Sequence, residues 1–204
     1  MTCIINYGSG NVRAIGNIYD RLKVPYSIVA RPSELLAAER IILPGVGAFD
    51  QTMDMLNKSG FREVLERRVI QENIPVLGIC VGMQILAEGS EEGVLDGLGW
   101  IKGRVQKFDK ETIAHKPKIP HLGWNSICAA KTSNLFNGID QAQGFYFIHS
   151  YYFKCTHEQD ILATTHYGND FSSAVNRDNI YGVQFHPEKS HHNGISLLEN
   201  FVSI

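Results

Sequence analysis

Hydrophobic residues along the first half of the chain follow two alternating rhythms. The runs CIINY (3–7), YSIVA (26–30), RIILPG (40–45) and PVLGI (75–79) are short and almost continuously apolar. Such runs predict strands buried on both faces, as in a parallel sheet covered by helices on each side. Between them the spacing lengthens. Val12, Ile15, Tyr19 and Leu22 recur at helical intervals and predict a helix over about 11–23. FDQTMDMLNKSG and FREVLERRVIQEN also read as helical, with a break at Gly60.

The second half changes character. From Gly97 onward, GWIKGRVQKF, FYFIHSYYFKC, ILATTHYG and SSAVNRDNIYGVQF are strand-like with turn signals between them, and 176–179 reads as a hairpin tip. These strands are expected as antiparallel additions to the sheet. GISLLENFV predicts a closing helix that packs back on it. With no internal repeat, low-complexity tract or linker, the expectation is a single domain over 1–204. Its fold class is α/β, a three-layer sandwich with a mostly parallel central sheet plus antiparallel strands.

Composition narrows the ligand more than the fold. A chain of 204 residues that is 44% apolar can bury one good core and is too short for two ordinary domains. Its formal charge of −2 gives no basic face for nucleic acid or an anionic membrane, so a small molecule or a protein is the expected partner. The opening MTCIINYGSG enters a strand without a basic leader, and no segment approaches the roughly 18 apolar residues of a membrane span. A cytoplasmic location is the expectation.

Four cysteines, Cys3, Cys80, Cys128 and Cys155, lie far apart with no CxxC pair, which suggests neither a disulfide framework nor a zinc site. Cys3, Cys128 and Cys155 sit in strand-like surroundings and are expected as small buried apolar residues.

Cys80 stands apart. Gly78, Ile79, Cys80, Val81 and Gly82 form a G-x-C-x-G pattern between a buried strand and a helix expected to begin near Val81. This is the strand-turn-helix elbow of G-x-S-x-G hydrolases with sulfur in place of oxygen. The turn is sharp enough to require glycine two residues either side of the nucleophile. A helix N-terminus favours thiolate over thiol, and the Val81 amide can donate to an oxyanion formed on an attacked carbonyl. YGSGN also follows a strand and opens a helix, but Arg13 occupies the third glycine position of a dinucleotide-binding loop. A tight turn is the expected role.

A thiol nucleophile needs a base, and eight histidines are available. His115, His157, His166, His191 and His192 lie in polar surroundings or near element ends. His121 reads as structural, and His149 as structural or as a neighbour of the substrate. His186 ends the strand YGVQFH and is followed by Pro187 and Glu188, so imidazole and carboxylate alternate along an extended segment and project to one side. Glu188 can then take the second ring N–H and fix the tautomer. A four-coordinate metal site lacks ligands here, and no cofactor is expected.

LPGVGAF, GICVGMQ and VQFHPEKS, in that order and spanning the chain, resemble the class I, triad-type glutamine amidotransferases. NYGSGN, IPHLGWN and FYFIHSYY are similar to one branch, the glutaminase subunits of imidazole glycerol phosphate synthases. The resemblance implies a flavodoxin-like fold and hydrolysis of L-glutamine by Cys80, His186 and Glu188. It also implies oxyanion donors at Val46 and Val81, and substrate contacts at Gly45, Gly47, Gln84, Glu92, Ser150 and Tyr151. Read from the residues alone, Gln84 is either a ligand contact or an ordinary neighbour one turn after Cys80, and Glu92 in GSEEG is either a ligand contact or a solvated carboxylate.

The implied partner is a (β/α)-barrel cyclase forming a heterodimer over the Cys80 face, with Asn11, Trp124 and Lys189 as candidates for docking. GSEEGVLDGLGW and EKSHHNGISLLENF resemble a paralogous branch that supplies ammonia to sugar-modifying synthetases for surface polysaccharide. Outside this family, a different thiol hydrolase is the competing expectation.

Overall fold

Thr2–Ile5 (β1), Tyr26–Val29 (β2), Arg40–Gly45 (β3) and Val76–Cys80 (β4) pair in parallel in the spatial order β2-β1-β3-β4. The computed structural model describes residues 1–114, 116 and 118–204, and His115 lies outside the described residues. β1 and β4 are buried along their whole length, as their unbroken apolar runs require. β2 departs from that expectation: Tyr26 and Ser27 are half-buried and Ile28 exposed, because this strand forms the sheet's edge.

Val12–Leu22 (α1) connects β1 to β2, and Phe49–Lys58 (α2) with Phe61–Leu65 (α3) connects β3 to β4. The two crossovers run in opposite directions along the sheet, so right-handed connection puts their helices on opposite faces. Asn11 caps α1 by accepting the Ala14 N–H at 3.4 Å, and Lys23 ends it at φ 55°. Gly60 makes the break between α2 and α3 at φ 76°, and one wider turn, Glu66–Gln71, carries the chain on towards β4.

After β4 come Val81–Gln84 (α4), Gly89–Ser90 (β5), Gly103–Lys107 (β6), His121–Asn125 (β7), Cys128–Ala129 (β8) and Phe145–His149 (β9). Tyr151–Cys155 (β10), Ile161–Tyr167 (β11), Asn169–Arg177 (β12), Ile180–Val183 (β13) and the helix His191–Val202 (α5) complete the order. Among the described residues eleven strands form one sheet, with β13 next to β4 and then β12, β10, β6 and β5. α5 packs beside α1, where Tyr19 Oη donates to the Leu198 carbonyl at 3.3 Å.

Four expectations are corrected by this arrangement. β13 forms the hairpin with β12 around Asp178 and Asn179, yet it also pairs in parallel with β4 and so belongs to the parallel core. FYFIHSYYFKC is two strands: β9 leaves to pair with β7 in a separate two-stranded sheet, and β10 joins the main sheet beside β6. Cys128 is exposed because β8 is two residues long and pairs only with β11, whereas Cys3 is buried and Cys155 half-buried. Finally, α4 is a single turn. The carbonyls of Ile85, Leu86 and Ala87 accept from Leu98, Ile101 and Gly99 instead of from continuing helix. No helix among the described residues is long and apolar enough to cross a membrane.

Candidate active site

β4 ends at Cys80, whose backbone stands at φ 56°, ψ −114°, outside the regions a side chain favours. Strain of this kind is worth on the order of 1–3 kcal/mol and persists only where packing over-determines it. Three glycines do so. A methyl at Gly82 would lie 1.9 Å from the Leu43 carbonyl oxygen, one at Gly78 would lie 2.6 Å from the Gly82 oxygen, and one at Gly45 would lie 2.4 Å from the Gly82 nitrogen. β3 therefore clamps the elbow from below. Because α4 is one turn long, its dipole is a weaker aid to the thiolate than a full helix would be. Val81 nonetheless heads it, and N–H groups of a first turn have no partner inside the helix.

The parallel pairing of β13 with β4 sets Val183 beside Ile79, so the segment Gln184–Phe185–His186 leaves the sheet alongside the elbow. Phe185 stacks on Phe145 with centroids 3.8 Å apart. Ser190 Oγ donates to the His186 carbonyl at 2.6 Å and accepts the Tyr146 N–H at 3.0 Å, which pins the turn between strand and α5. His186 Nδ1 lies 2.8 Å from Glu188 Oε1, with the two side chains 4% and 2% exposed. The same ring and Cys80 line one cavity, and the sulfur acts electrostatically on the imidazole. Burial alone would lower the imidazole pKa, but the hydrogen bonds and negative charges of Cys80 and Glu188 outweigh it and raise it to about 10. Cysteine, imidazole and carboxylate are thus buried together, the imidazole hydrogen-bonded to the carboxylate and sharing the cavity with the sulfur.

A cavity of about 370 Å³ opens over Cys80, within the range of small-molecule sites. Val46, Gly47, Gln84, Glu92, Ser150 and Tyr151 line it together with Val81, His149, Ile148, His186 and Lys189. Gly45 does not; its lack of a side chain serves close approach to the elbow. Glu92 is half-buried and its Oε2 accepts the Phe49 N–H at 2.8 Å, fixing an anion at the cavity wall and at the start of α2. Its loop is held by Asp50, whose carboxylate accepts the N–H groups of Val94 and Leu95 at 2.9 and 3.1 Å.

Gln84 is more engaged than a free ligand contact would be. Its Nε2 donates to the Tyr151 carbonyl and to Gln184 Oε1, each at 3.0 Å, so only its Oε1 remains to meet a ligand. Val46 is 45% exposed, but its N–H donates to Ser9 Oγ at 2.9 Å and its carbonyl accepts from the same hydroxyl at 3.0 Å. In this arrangement the Val46 amide is held by the YGSGN loop and is not aimed at Cys80. That loop is the tight turn its glycines suggest, with Gly8 at φ 100° and Gly10 at φ 92°.

Of the candidate docking residues, Lys189 lines the cavity. Asn11 is exposed, Trp124 is 43% exposed with its ring 5.3 Å from that of His191, and Lys189 places Nζ 5.7 Å from the Tyr146 ring centre. Leu122 and Ile148, 53% and 40% exposed, face each other across β7 and β9, and Ile148 lines the cavity. His121 and His149 are buried, and His149 reaches the cavity wall. His166 pairs with Asp170 at 2.7 Å on the surface. A larger groove of about 930 Å³ beside α3 is lined by charged and aliphatic side chains and contains no nucleophile. Among the described residues no cluster of three or more His, Cys, Asp or Glu is arranged to hold a metal ion.

The sequence matches the glutamine amidotransferase class-I family over residues 3–204. The chain belongs to the class I glutamine amidotransferase family. Among curated relatives of this amidotransferase, the imidazole glycerol phosphate synthase subunit HisH of Leptospira borgpetersenii is 49% identical over 204 residues, with 100% of both chains covered. That of Bdellovibrio bacteriovorus is 50% identical over the same length and coverage. Among solved structures, PurLQS from Thermotoga maritima superposes on the amidotransferase with a TM-score of 0.75 at 15% identity, covering 99% of this chain and 97% of the other. That likeness speaks for the fold, which matches the flavodoxin-like α/β expectation. The Cys80 elbow and the His186–Glu188 pair thus lie in an amidotransferase whose full-length relatives are synthase subunits.

Proposed function

We propose that the chain is the glutaminase subunit of an imidazole glycerol phosphate synthase, releasing ammonia from L-glutamine for histidine biosynthesis. The observation that carries the chemistry is the buried set of Cys80, His186 and Glu188, with Cys80 and His186 lining a small cavity and Glu188 bonded to the imidazole behind it. Cys80 Sγ attacks the side-chain amide carbon, and the carbonyl electrons move onto oxygen. Val81 N–H meets that oxyanion. Collapse breaks the carbon–nitrogen bond while His186 gives its proton to the leaving nitrogen, and ammonia departs. Water then adds to the thioester with neutral His186 taking its proton, the carbon–sulfur bond breaks, and glutamate is released. We assign Glu92 to the substrate's ammonium group and the backbone of Ser150 and Tyr151 to the same end, an assignment supported by all three lining the cavity.

Ammonia released into neutral water is mostly protonated and no longer a nucleophile, which favours direct delivery. We assign the acceptor to a barrel cyclase subunit docked on the rim formed by Trp124, Leu122, Ile148 and Lys189, with Asn11 beside the neighbouring loop. The hold of Ser9 on Val46 gives that partner something to change: with the amide bonded to Ser9, one of two oxyanion donors is missing, and turning it inward completes the hole.

Glutamine labelled with nitrogen-15 in its amide tests the reading. The isolated chain should release ammonia slowly. Addition of the barrel cyclase and its ribulosyl nucleotide substrate should raise the rate at least tenfold and carry the label into the imidazole product, one glutamate per product. Absence of glutamate formation in the complex, or label found only in free ammonium, contradicts it.

A further inference from the structure

Gln184 is wholly buried and precedes the Phe185–His186 segment, its backbone N–H bonded to the Ser173 carbonyl at 2.9 Å. Its side-chain Nε2 lies 3.8 Å from Cys80 Sγ, within reach of an N–H···S hydrogen bond. Which end of the amide faces the sulfur is fixed by its neighbours. The Tyr151 carbonyl can only accept, so the Gln84 atom 3.0 Å from it is the NH₂ group. That same nitrogen lies 3.0 Å from Gln184, which must present its oxygen there and turn its own NH₂ to the sulfur.

The series continues behind Tyr151. Its carbonyl also accepts from His149 Nδ1 at 2.8 Å, which leaves His149 Nε2 to accept from His121 Nδ1 at 2.9 Å. His121 Nε2 in turn lies 3.2 Å from Asn125 Nδ2. Burial, with the neighbouring His121 adding to it, holds His149 at a pKa of about 3, so the imidazole stays neutral at any working pH and the donor order does not invert. A line of hydrogen bonds therefore runs from β7, through β9, Tyr151 of β10 and Gln84 of α4, to Gln184 and the nucleophile.

We infer that Gln184 is a catalytic residue outside the triad, its amide donating to the Cys80 sulfur in the thiolate form, and that Gln84 is the positioning residue that keeps this amide turned towards it. A sulfur that is 4% exposed meets little water and takes its hydrogen bonds from protein donors. His186 supplies one, and it gives up its proton as ammonia leaves. Gln184 keeps its N–H at every stage, including the breakdown of the thioester, when sulfur departs as an anion. The inference rests on Cys80 being the nucleophile.

The test uses the complex with the barrel subunit and two variants, Gln184→Met, similar in volume without a donor, and Gln184→Glu, which presents an anion to sulfur. Iodoacetamide reads the thiolate without requiring glutamine turnover. In Gln184→Met the alkylation rate of Cys80 near pH 7 should fall about tenfold, the value of one hydrogen bond to a charged group, with the rate–pH curve displaced to higher pH. The kcat should fall by a similar factor with KM for glutamine within about twofold, and Gln184→Glu should lose more. A merely structural role would lower the melting temperature without displacing the pH curve. If Gln184→Met does not fold, the Gln184 side-chain amide resonance in nitrogen-15-labelled parent protein decides: it should move on Cys80→Ala. An unchanged alkylation profile in folded Gln184→Met, or an unmoved resonance, overturns the inference. A parent protein whose Cys80 neither alkylates nor supports glutamine hydrolysis overturns the nucleophile assignment instead.

Discussion

Cys80→Ala in the assembled enzyme should lower glutamine turnover by roughly 10⁴-fold or more, the loss seen when a nucleophile is removed from a triad that acts as a unit. The removed atom is Sγ alone. Cys80 is 4% exposed at the end of β4, and its φ of 56° is imposed by the glycine contacts of Gly45, Gly78 and Gly82, which the substitution leaves in place. Circular dichroism and melting temperature should therefore stay close to the parent's while ammonia release, measured in the same preparation, disappears. Glutamine binding should survive, because Glu92 is held at the cavity wall by the Phe49 N–H whether or not sulfur is present. Ammonia release at the parental rate by Cys80→Ala with its partner would mean that the chemistry lies elsewhere.

Glu188→Gln should cost roughly 10³–10⁴ in kcat, for a reason distinct from loss of charge alone. The carboxylate oxygen 2.8 Å from His186 Nδ1 accepts a proton-bearing nitrogen and so leaves the opposite nitrogen to serve Cys80. A glutamine amide that turns its NH₂ to Nδ1 enforces the wrong tautomer, with a proton on Nε2 that cannot take one from sulfur. The pH dependence carries a sign. In the parent, burial acts to lower the His186 pKa, but Cys80 and Glu188 together raise it to about 10, so the imidazolium needed to protonate the leaving nitrogen persists well above neutrality.

Removal of the Glu188 hydrogen bond and charge should move the alkaline limb of kcat/KM to lower pH. The same group contributes stability that is fully present below its unfolded value of about 6.5 and is lost as pH rises towards about 10. The difference in melting temperature between parent and Glu188→Gln should accordingly narrow between pH 7 and pH 10. An alkaline limb that stays in place would show that Glu188 does not act through His186.

What was legible in the sequence follows the range of the forces involved. The unbroken apolar runs of β1, β3 and β4 reported a doubly covered sheet because burial on both faces leaves no polar positions. The elbow was legible because its glycines are required by contacts of 1.9–2.6 Å, which no other residue can satisfy. His186 and Glu188 were legible because they sit two residues apart in extended chain, where local geometry alone brings them to one side.

Non-local pairing left no such trace. β13 looks like the second arm of a hairpin, and nothing within it announces β4, some 100 residues earlier, as its other neighbour. Ser150 divides FYFIHSYYFKC between two sheets without interrupting its alternation. Gln184 carries no motif of its own; a polar residue inside an apolar strand is the available signal, and its meaning depends on Gln84 and Cys80 arriving from another element. Strand ends that share one edge of a parallel sheet predict that the YGSGN and PGVG loops are neighbours, but not that Ser9 engages the Val46 backbone.

The ionised sulfur can be tested with a glutamine analogue that carries a diazoketone in place of the side-chain amide, followed by peptide mass spectrometry across pH. One adduct per chain is expected, at Cys80, blocked by glutamine and absent in Cys80→Ala. Equal modification of the exposed Cys128, or an unmodified Cys80 in a complex that still hydrolyses glutamine, would contradict it.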